Sequence, residues 1–134
     1  MWSGPRNIST AMMRSFENRS DTFVSDEPFY GYYLKNTDID HPGRKGVLRS
    51  METDWYTVSK TITGLPPNEE KVWYQKHMAQ HNLPGVDLSW TRLVTNCFLI
   101  RDPKEVIISY HKKYEVNRAE LLGYPQQVEL YRML

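Results

Sequence analysis

The stretch that decides the fold class is CFLIRDP, residues 97–103. Residues 97–100 form a continuous apolar run, which predicts a strand buried on both faces of a parallel sheet. Asp102 and Pro103 then predict the start of a helix, because aspartate is a favoured N-cap and proline suits the first helical position. A buried strand that leads straight into a helix is typical of a βαβ unit, so this stretch favours an open α/β sheet.

The flanking segments continue this alternation of strands and helices. Helices are predicted over residues 9–17, 51–63, 104–114 and 124–134. Strands are predicted over residues 22–25 and 71–76, and surface loops over residues 38–44 and 82–87. Residues 29–34 are rich in aromatic side chains and fit neither pattern. The whole pattern predicts a three-layer α/β/α architecture with a mostly parallel central sheet, within one domain over residues 1–134.

The composition narrows the class of protein. Seventeen Lys and Arg against sixteen Asp and Glu give a net charge of +1, so there is no basic excess to neutralise the phosphates of a nucleic acid. No apolar stretch approaches the roughly 20 residues of a membrane span, and no secretory signal is visible. A single cysteine, Cys97, suits a reducing compartment. We therefore expect a cytoplasmic protein with neither a nucleic acid nor a membrane as partner.

Three segments lie where a predicted strand ends and a helix or loop begins, which is where open α/β sheets bind ligands. The first is residues 3–10, which enter the first predicted helix. Arg6, the hydroxyls of Ser9 and Thr10, and helix N-terminal N–H groups can form a cradle for an oxyanion. The segment lacks Gly-Lys-Ser/Thr and is therefore not a Walker A loop. The alternative is an ordinary helix start capped by Ser9 or Thr10.

The second segment is Lys76-His77, at the end of a predicted strand. A histidine there can act as a general base, because its ordinary pKa of about 6.5 lies near neutral pH. The alternative is a surface or hydrogen-bonded histidine without a catalytic role. His81 lies four residues further on, but the segment passes from strand to loop and offers no third ligand. We therefore predict no metal site.

The third segment joins Arg101 to Ser109, eight residues later in the following helix. An arginine at a strand end can hold a phosphate through its planar fork of donors, and a serine two turns into the helix can reach the same phosphate. The alternative is an ion pair between Arg101 and Asp102, together with a helix-interior serine.

Taken together and in this order, the three segments resemble the sulfotransferase family, whose fold is similar to that of P-loop kinases. The family's phosphosulfate loop is matched at Pro5, Arg6, Ser9 and Thr10, and its arginine and serine motif at Arg101 and Ser109. The likeness covers residues 3–114, and the Arg-Asp-Pro form favours the bacterial sulfotransferase-like branch, some of whose relatives are labelled aminotransferase-like.

The resemblance implies transfer of a sulfuryl group from 3′-phosphoadenosine-5′-phosphosulfate (PAPS), without a metal, to a hydroxyl or amine of a small-molecule acceptor. It assigns His77 as the catalytic base, with Arg6 and Lys76 as further catalytic groups. Donor binding is assigned to the residues of the two phosphate motifs: Arg6, Asn7, Ser9, Thr10, Arg101 and Ser109.

On the acceptor side we single out Asp26, Glu27, Phe29 and Tyr30, which follow the second predicted strand. They are candidates to contact a substrate at the edge of the cleft. The alternative is that residues 26–28 only end a strand and that the aromatic side chains fill the core.

Three departures from the family pattern bear on activity. Asn7-Ile8 stands where the family has Ser-Gly, and isoleucine lacks the backbone freedom of glycine. The family's first strand would precede Ser3, and its Gly-rich C-terminal motif has no counterpart before Leu134. We therefore expect a partial domain, truncated at both ends. A non-catalytic nucleotide-binding module of the same fold and a P-loop kinase or NTPase remain open alternatives.

Overall fold

The computed structural model describes residues 1–134 and contains one four-stranded sheet. The strands are β1 (Trp2–Ser3), β2 (Thr22–Asp26), β3 (Val72–Met78) and β4 (Phe98–Leu99). All pairs are parallel, and the order across the sheet is β2-β3-β1-β4. Because this order differs from the order along the chain, each connection crosses over the sheet. The predicted α/β class with a parallel sheet is confirmed.

Six helices connect and cover the strands. They are α1 (Ser9–Glu17), α2 (Tyr30–Lys35), α3 (Arg44–Ser50), α4 (Trp55–Ile62), α5 (Pro103–His111) and α6 (Tyr124–Met133). Short 3₁₀ turns occupy Ala79–His81, Ser89–Leu93 and Ala119–Leu122. No helix combines the length and the apolar composition needed to cross a membrane.

The side chains of β3 alternate between two helix layers. Tyr74 stacks on Phe16 of α1, with ring centroids 4.2 Å apart. On the opposite face, Gln75 Nε2 donates a hydrogen bond of 2.6 Å to the Ile62 carbonyl at the end of α4. Since successive residues of a strand point to opposite faces, α1 and α4 cover opposite sides of the sheet. This gives the predicted three-layer arrangement.

The apolar core lies on the α4 side of the sheet. Its six fully buried members are Trp2, Phe29, Val58, Ile62, Trp90 and Leu130. Val58 and Ile62 are four residues apart on α4, so they share one helical face and turn it toward the sheet. The core thereby links β1 to α4, α6 and the residue that precedes α2.

The structure corrects several predicted boundaries. Residues 97–100 were expected to be buried on both faces, but β4 has only two half-buried residues and Ile100 is 74% exposed. The reason is that β4 lies at the edge of the sheet, with a neighbour on one side only. The helix predicted from residue 51 begins at Trp55, because Asp54 caps it through a bond from the Thr57 N–H.

The helix predicted to run to residue 114 ends at His111, and the aromatic stretch at residues 29–34 forms most of α2. A further helix, α3, follows Gly43 and had no counterpart in the prediction.

Because all strands are parallel, their carboxyl ends lie at one edge of the sheet. The segments that leave this edge are residues 4–8, 27–29, 79–81 and 100–102. The predicted site residues lie on these segments, at the ends of β2 and β3, or in the first two turns of α1, α2 and α5. This edge is therefore the place to look for a functional site.

Candidate functional site

The loop after β1 has a strained backbone. Arg6 and Ile8 both have positive φ angles, 63° and 53°, in the left-handed region that β-branched residues rarely adopt. Gly4 fixes the start of the loop, because a Cβ there would lie 2.2 Å from the Leu122 carbonyl oxygen. Such strain persists only where the surroundings enforce it, and it is concentrated at functional sites.

The N-terminus of α1 has no side-chain cap. Its N-cap residue is Ile8, which has no group that can accept a hydrogen bond, so the prediction of a Ser9 or Thr10 cap is wrong. The first N–H groups of a helix have no partner within the helix, and here no side chain satisfies them. Ser9 and Thr10 instead occupy the first two helical positions, with Ser9 buried and Thr10 exposed. These N–H groups can therefore bind an anion together with the dipole of α1.

Arg6, Arg101 and Ser109 come together at this point, and we call them the donor cluster. Arg6 Nε donates a 2.9 Å hydrogen bond to Ser109 Oγ, and Arg101 Nη1 donates one of 3.0 Å to the Arg6 carbonyl. These two bonds join residues that are 103 and 95 positions apart in the chain. The structure thus brings the two predicted phosphate motifs into direct contact at the surface.

Arg101 also has partners that the sequence analysis missed. Its guanidinium lies 3.6 Å from Glu105 Oε2, one helical turn away, rather than pairing with Asp102, which caps α5. The spacing of four residues on a helix is a signal that could have revealed this pair. The Tyr124 hydroxyl donates to the Arg101 carbonyl at 3.1 Å, a contact between distant segments that no local pattern indicates.

Asn7, between the two strained residues, is turned into the protein. Only 2% of it is exposed, and neither polar atom of its amide has a hydrogen-bond partner. Buried amides are nearly always satisfied, so the unpartnered group marks the underside of the loop as a place where a ligand or a water could bind. In this conformation the Asn7 side chain does not face the solvent side of the donor cluster.

Lys76 pairs with the two acidic residues at the end of β2. Its Nζ donates to Asp26 Oδ1 and to Glu27 Oε1, both at 2.6 Å, and its side chain is only 3% exposed. Burial alone would lower the pKa of Lys76, but the charges and hydrogen bonds of Glu27 and Asp26 outweigh it and raise the pKa. Because two carboxylates neutralise this ammonium, Lys76 adds little positive potential to the donor cluster.

His81 completes this group, and Tyr30 packs beside it. His81 Nε2 lies 3.8 Å from Glu27 Oε2, and its ring stacks on Tyr30 with centroids 5.3 Å apart. We call Lys76, Asp26, Glu27 and His81 the lysine cluster. Burial lowers the pKa of His81 to about 3, and burial raises the pKa of Tyr30 to about 12.

Of the four acceptor-side candidates, three lie at or beside the lysine cluster and one lies in the core. Asp26 is exposed and Glu27 is half-buried. Phe29, by contrast, is 2% exposed and stacks on Trp55 with ring centroids 4.0 Å apart. Phe29 thus fills the core, as the alternative interpretation had it. Tyr30 is half-buried and lies beside the lysine cluster.

His77 is packed against the core, at the wall of a cavity rather than at the surface. Its ring is 4.6 Å from that of Trp2 and 5.5 Å from that of Trp90, and only 4% of the residue is exposed. Nε2 is 3.2 Å from Gln75 Oε1, while Nδ1 is buried without a partner. Burial holds the pKa of His77 well below its usual value, so the ring is neutral at pH 7. The protonation state suits a base, but the cavity of about 590 Å³ that His77 lines contains none of the residues of the donor cluster.

The comparisons with known proteins now identify the class. The family described as "Sulfotransferase domain" matches residues 1–134, and the chain belongs to that family. Two Arabidopsis thaliana proteins, named branched-chain-amino-acid aminotransferase-like protein 2 and protein 1, are each 35% identical to it over 130 residues. These matches cover 97% of the chain but 23% of each relative, so the chain spans about a quarter of their length. No solved structure matches the chain.

Proposed function

We propose that this domain binds PAPS and transfers its sulfuryl group to a hydroxyl or amine of a small-molecule acceptor. The observation that carries the proposal is the donor cluster, in which Arg6 of the strained loop contacts Ser109 and the backbone of Arg6 contacts Arg101. Two guanidinium groups at the open end of a helix favour a ligand with more than one anionic group. Membership of the sulfotransferase domain family supports the same donor.

The residues present fit such a donor. Arg101 and Ser109 would hold its 3′-phosphate, and Arg6 with the first N–H groups of α1 would hold its 5′-phosphosulfate. When the ligand binds, the Arg6–Ser109 hydrogen bond is replaced by hydrogen bonds from each side chain to the ligand, so the polar groups of both residues stay satisfied. The arginine charges and the helix dipole then stabilise the negative charge that develops on the leaving phosphate.

When bound, PAPS supplies an electrophilic sulfur: a new S–O or S–N bond forms to the acceptor as the S–O bond to the 5′-phosphate breaks, and 3′,5′-adenosine bisphosphate leaves with the electron pair. Catalysis in transfers of this kind comes mainly from positioning and charge stabilisation. The chain's own tasks are therefore to hold the two phosphates in register and to take the acceptor's proton.

Two side chains are candidates for the base that takes this proton. His77 is neutral at pH 7, but it is packed against Trp2 and Trp90, and the cavity that it lines includes no residue of the donor cluster. Glu27 is half-buried at the carboxyl edge and is held by Lys76 at 2.6 Å. Geometry favours Glu27 and the family resemblance favours His77, and their variants separate the two.

Titration calorimetry with 3′,5′-adenosine bisphosphate tests the donor site. We expect binding by the chain and an affinity about 10- to 100-fold weaker in Arg101→Ala, because charge-assisted hydrogen bonds are lost. Arg92→Ala, a change at an exposed arginine outside the donor cluster, is the matched control and should bind normally. Absence of binding, or equal binding by Arg101→Ala, overturns the proposal. Magnesium-dependent binding of ATP in its place would favour a P-loop kinase or NTPase.

Sulfate transfer from radiolabelled PAPS tests the proton acceptor. Loss of transfer in Glu27→Gln with activity retained in His77→Phe would assign the base to Glu27, and the reverse would assign it to His77. Bisphosphate binding that persists without transfer to any acceptor would instead support the non-catalytic module. Because the curated relatives are about four times as long as the matched region, the assay is best repeated on a chain of their length.

A further inference from the structure

A cavity adjoins the carboxyl edge, between the turn after β3 and the start of α6. Its volume is about 500 Å³, within the range of about 300–1,000 Å³ that is usual for small-molecule sites. Tyr33 of α2 forms part of its wall, and the Tyr33 ring lies 4.7 Å from that of His81. Since His81 belongs to the lysine cluster, the cavity borders the acceptor side of the proposed active site.

Three amide side chains line the cavity: Gln80, Asn82 and Gln126. Both amide atoms of Asn82, and Oε1 of Gln80 and of Gln126, are shielded from solvent and have no hydrogen-bond partner. Native proteins rarely leave such atoms unsatisfied, and three such amides around one cavity call for a common explanation. The terminal torsions of amide side chains are broad, so a small rotation presents these atoms to a molecule in the cavity.

The charges of the wall indicate an uncharged ligand. Arg118 contributes one positive charge, and Glu120 and Glu129 contribute two negative charges, so the balance opposes an anion. Tyr33 is the one aromatic residue among the lining side chains, which offers a flat aromatic acceptor little stacking surface. The wall is therefore suited to hydrogen bonding with a neutral molecule.

We propose that this cavity binds the acceptor, and that the acceptor is an uncharged polyhydroxylated molecule, that is, a sugar or polyol. A hydroxyl both donates and accepts hydrogen bonds, as does an amide, so adjacent hydroxyls can satisfy the donor and acceptor atoms of Asn82 together. The assignment rests on the proposed function, because it takes the donor cluster to be the neighbouring half of the same active site.

Saturation-transfer NMR on the chain tests the inference. The probes are methyl β-glucoside and myo-inositol as neutral polyols, glucose 6-phosphate as an anion, and phenol as a flat aromatic. We expect saturation transfer from the protein to the two polyols and not to the other two probes. Their affinity should fall about tenfold in Asn82→Leu and in Gln126→Leu, each of which removes hydrogen bonds at similar volume.

Gln127→Leu is the matched control. Gln127 follows Gln126 on α6 and is buried with both amide atoms unpartnered, but it does not line the cavity. Its replacement should leave polyol binding unchanged. Calorimetry with 3′,5′-adenosine bisphosphate on each variant reports whether the fold and the donor cluster are intact, so a misfolded variant is recognised and the remaining one decides.

The outcomes separate this inference from the proposed function. Bisphosphate binding without polyol saturation, or an equal loss in Gln127→Leu, overturns the acceptor cavity alone. Stronger saturation of phenol or glucose 6-phosphate overturns the ligand class. Polyol saturation without bisphosphate binding overturns the assignment as an acceptor site, and with it the proposed function.

Discussion

In the donor cluster Arg101 faces one carboxylate, Glu105, at 3.6 Å and Arg6 pairs with none, whereas in the lysine cluster one ammonium faces two carboxylates at 2.6 Å. The arginines are exposed and the lysine is buried. A cation that has already been neutralised by close carboxylates gains little from an external anion, while an exposed and under-paired guanidinium gains much. The same residue type, a basic side chain near a strand end, is therefore available to an anion in one region and paired within the protein in the other.

The largest expected contrast between the two regions is in their response to pH. The pKa of His81 is lowered to about 3 and that of His77 well below 6.5, so the unfolded chain binds protons that the folded chain does not. The free energy of unfolding should therefore fall as the pH drops below about 6.5, by about 1.4 kcal/mol per pH unit for each histidine. Urea denaturation at pH 7, 6 and 5 measures this slope.

His81→Phe keeps an aromatic ring against Tyr30 and should remove about half of that slope. A slope that is unchanged in this variant would show that His81 is not the titrating group. The donor cluster contains no histidine, so this loss of stability should not originate there.

Replacing Lys76 should give the next largest effect, and the effect should be on stability. Lys76→Met leaves Asp26 and Glu27 facing each other without their shared cation, and we expect the free energy of unfolding to fall by about 3 kcal/mol. Lys71→Met, at an exposed lysine just before β3, should change it by less than about 0.5 kcal/mol. Equal stabilities of the two variants would show that the cluster is not structural.

Ser109→Ala should produce a smaller effect, confined to the donor cluster. Loss of one hydroxyl should weaken the binding of 3′,5′-adenosine bisphosphate about three- to tenfold, as expected for a single hydrogen bond. Thermal unfolding should be almost unchanged, because the Arg6–Ser109 bond is exposed. Ser20→Ala, at an exposed turn serine, is the control, and a similar weakening there would contradict the assignment.

Glu105→Gln should have the smallest effect and the opposite sign. Removing the carboxylate beside Arg101 frees the guanidinium for a phosphate, so the affinity for the bisphosphate should rise about two- to threefold at low salt. The gain should shrink as salt is added, since both groups are exposed. Weaker binding in this variant would indicate that Glu105 positions Arg101 for the ligand instead of competing for it.

Local chemistry made part of the fold predictable. The helix over residues 9–17 was predicted with its observed bounds, and the Asp102–Pro103 start of α5 has the expected cap. The burial of residues 97–100 was not predictable, because an apolar run does not reveal whether its strand lies at the centre or at the edge of the sheet. The Ile8 N-cap was also missed, because a β-branched residue in the left-handed region contradicts local preference and is imposed by tertiary packing.

The candidate site divides in the same way. By itself the sequence determined the family and the residue types, because the spacing of Arg101 and Ser109 and the makeup of residues 5–10 are local properties of the chain. Only the tertiary structure decided what each group does: it placed Arg6 against Ser109, neutralised Lys76 with two carboxylates, and enclosed His77 among aromatic rings. Charge and pKa depend on burial and on partners, and the hydrogen-bond partners that the fold brings to Arg6 and Lys76 lie from 49 to 103 positions away in the chain.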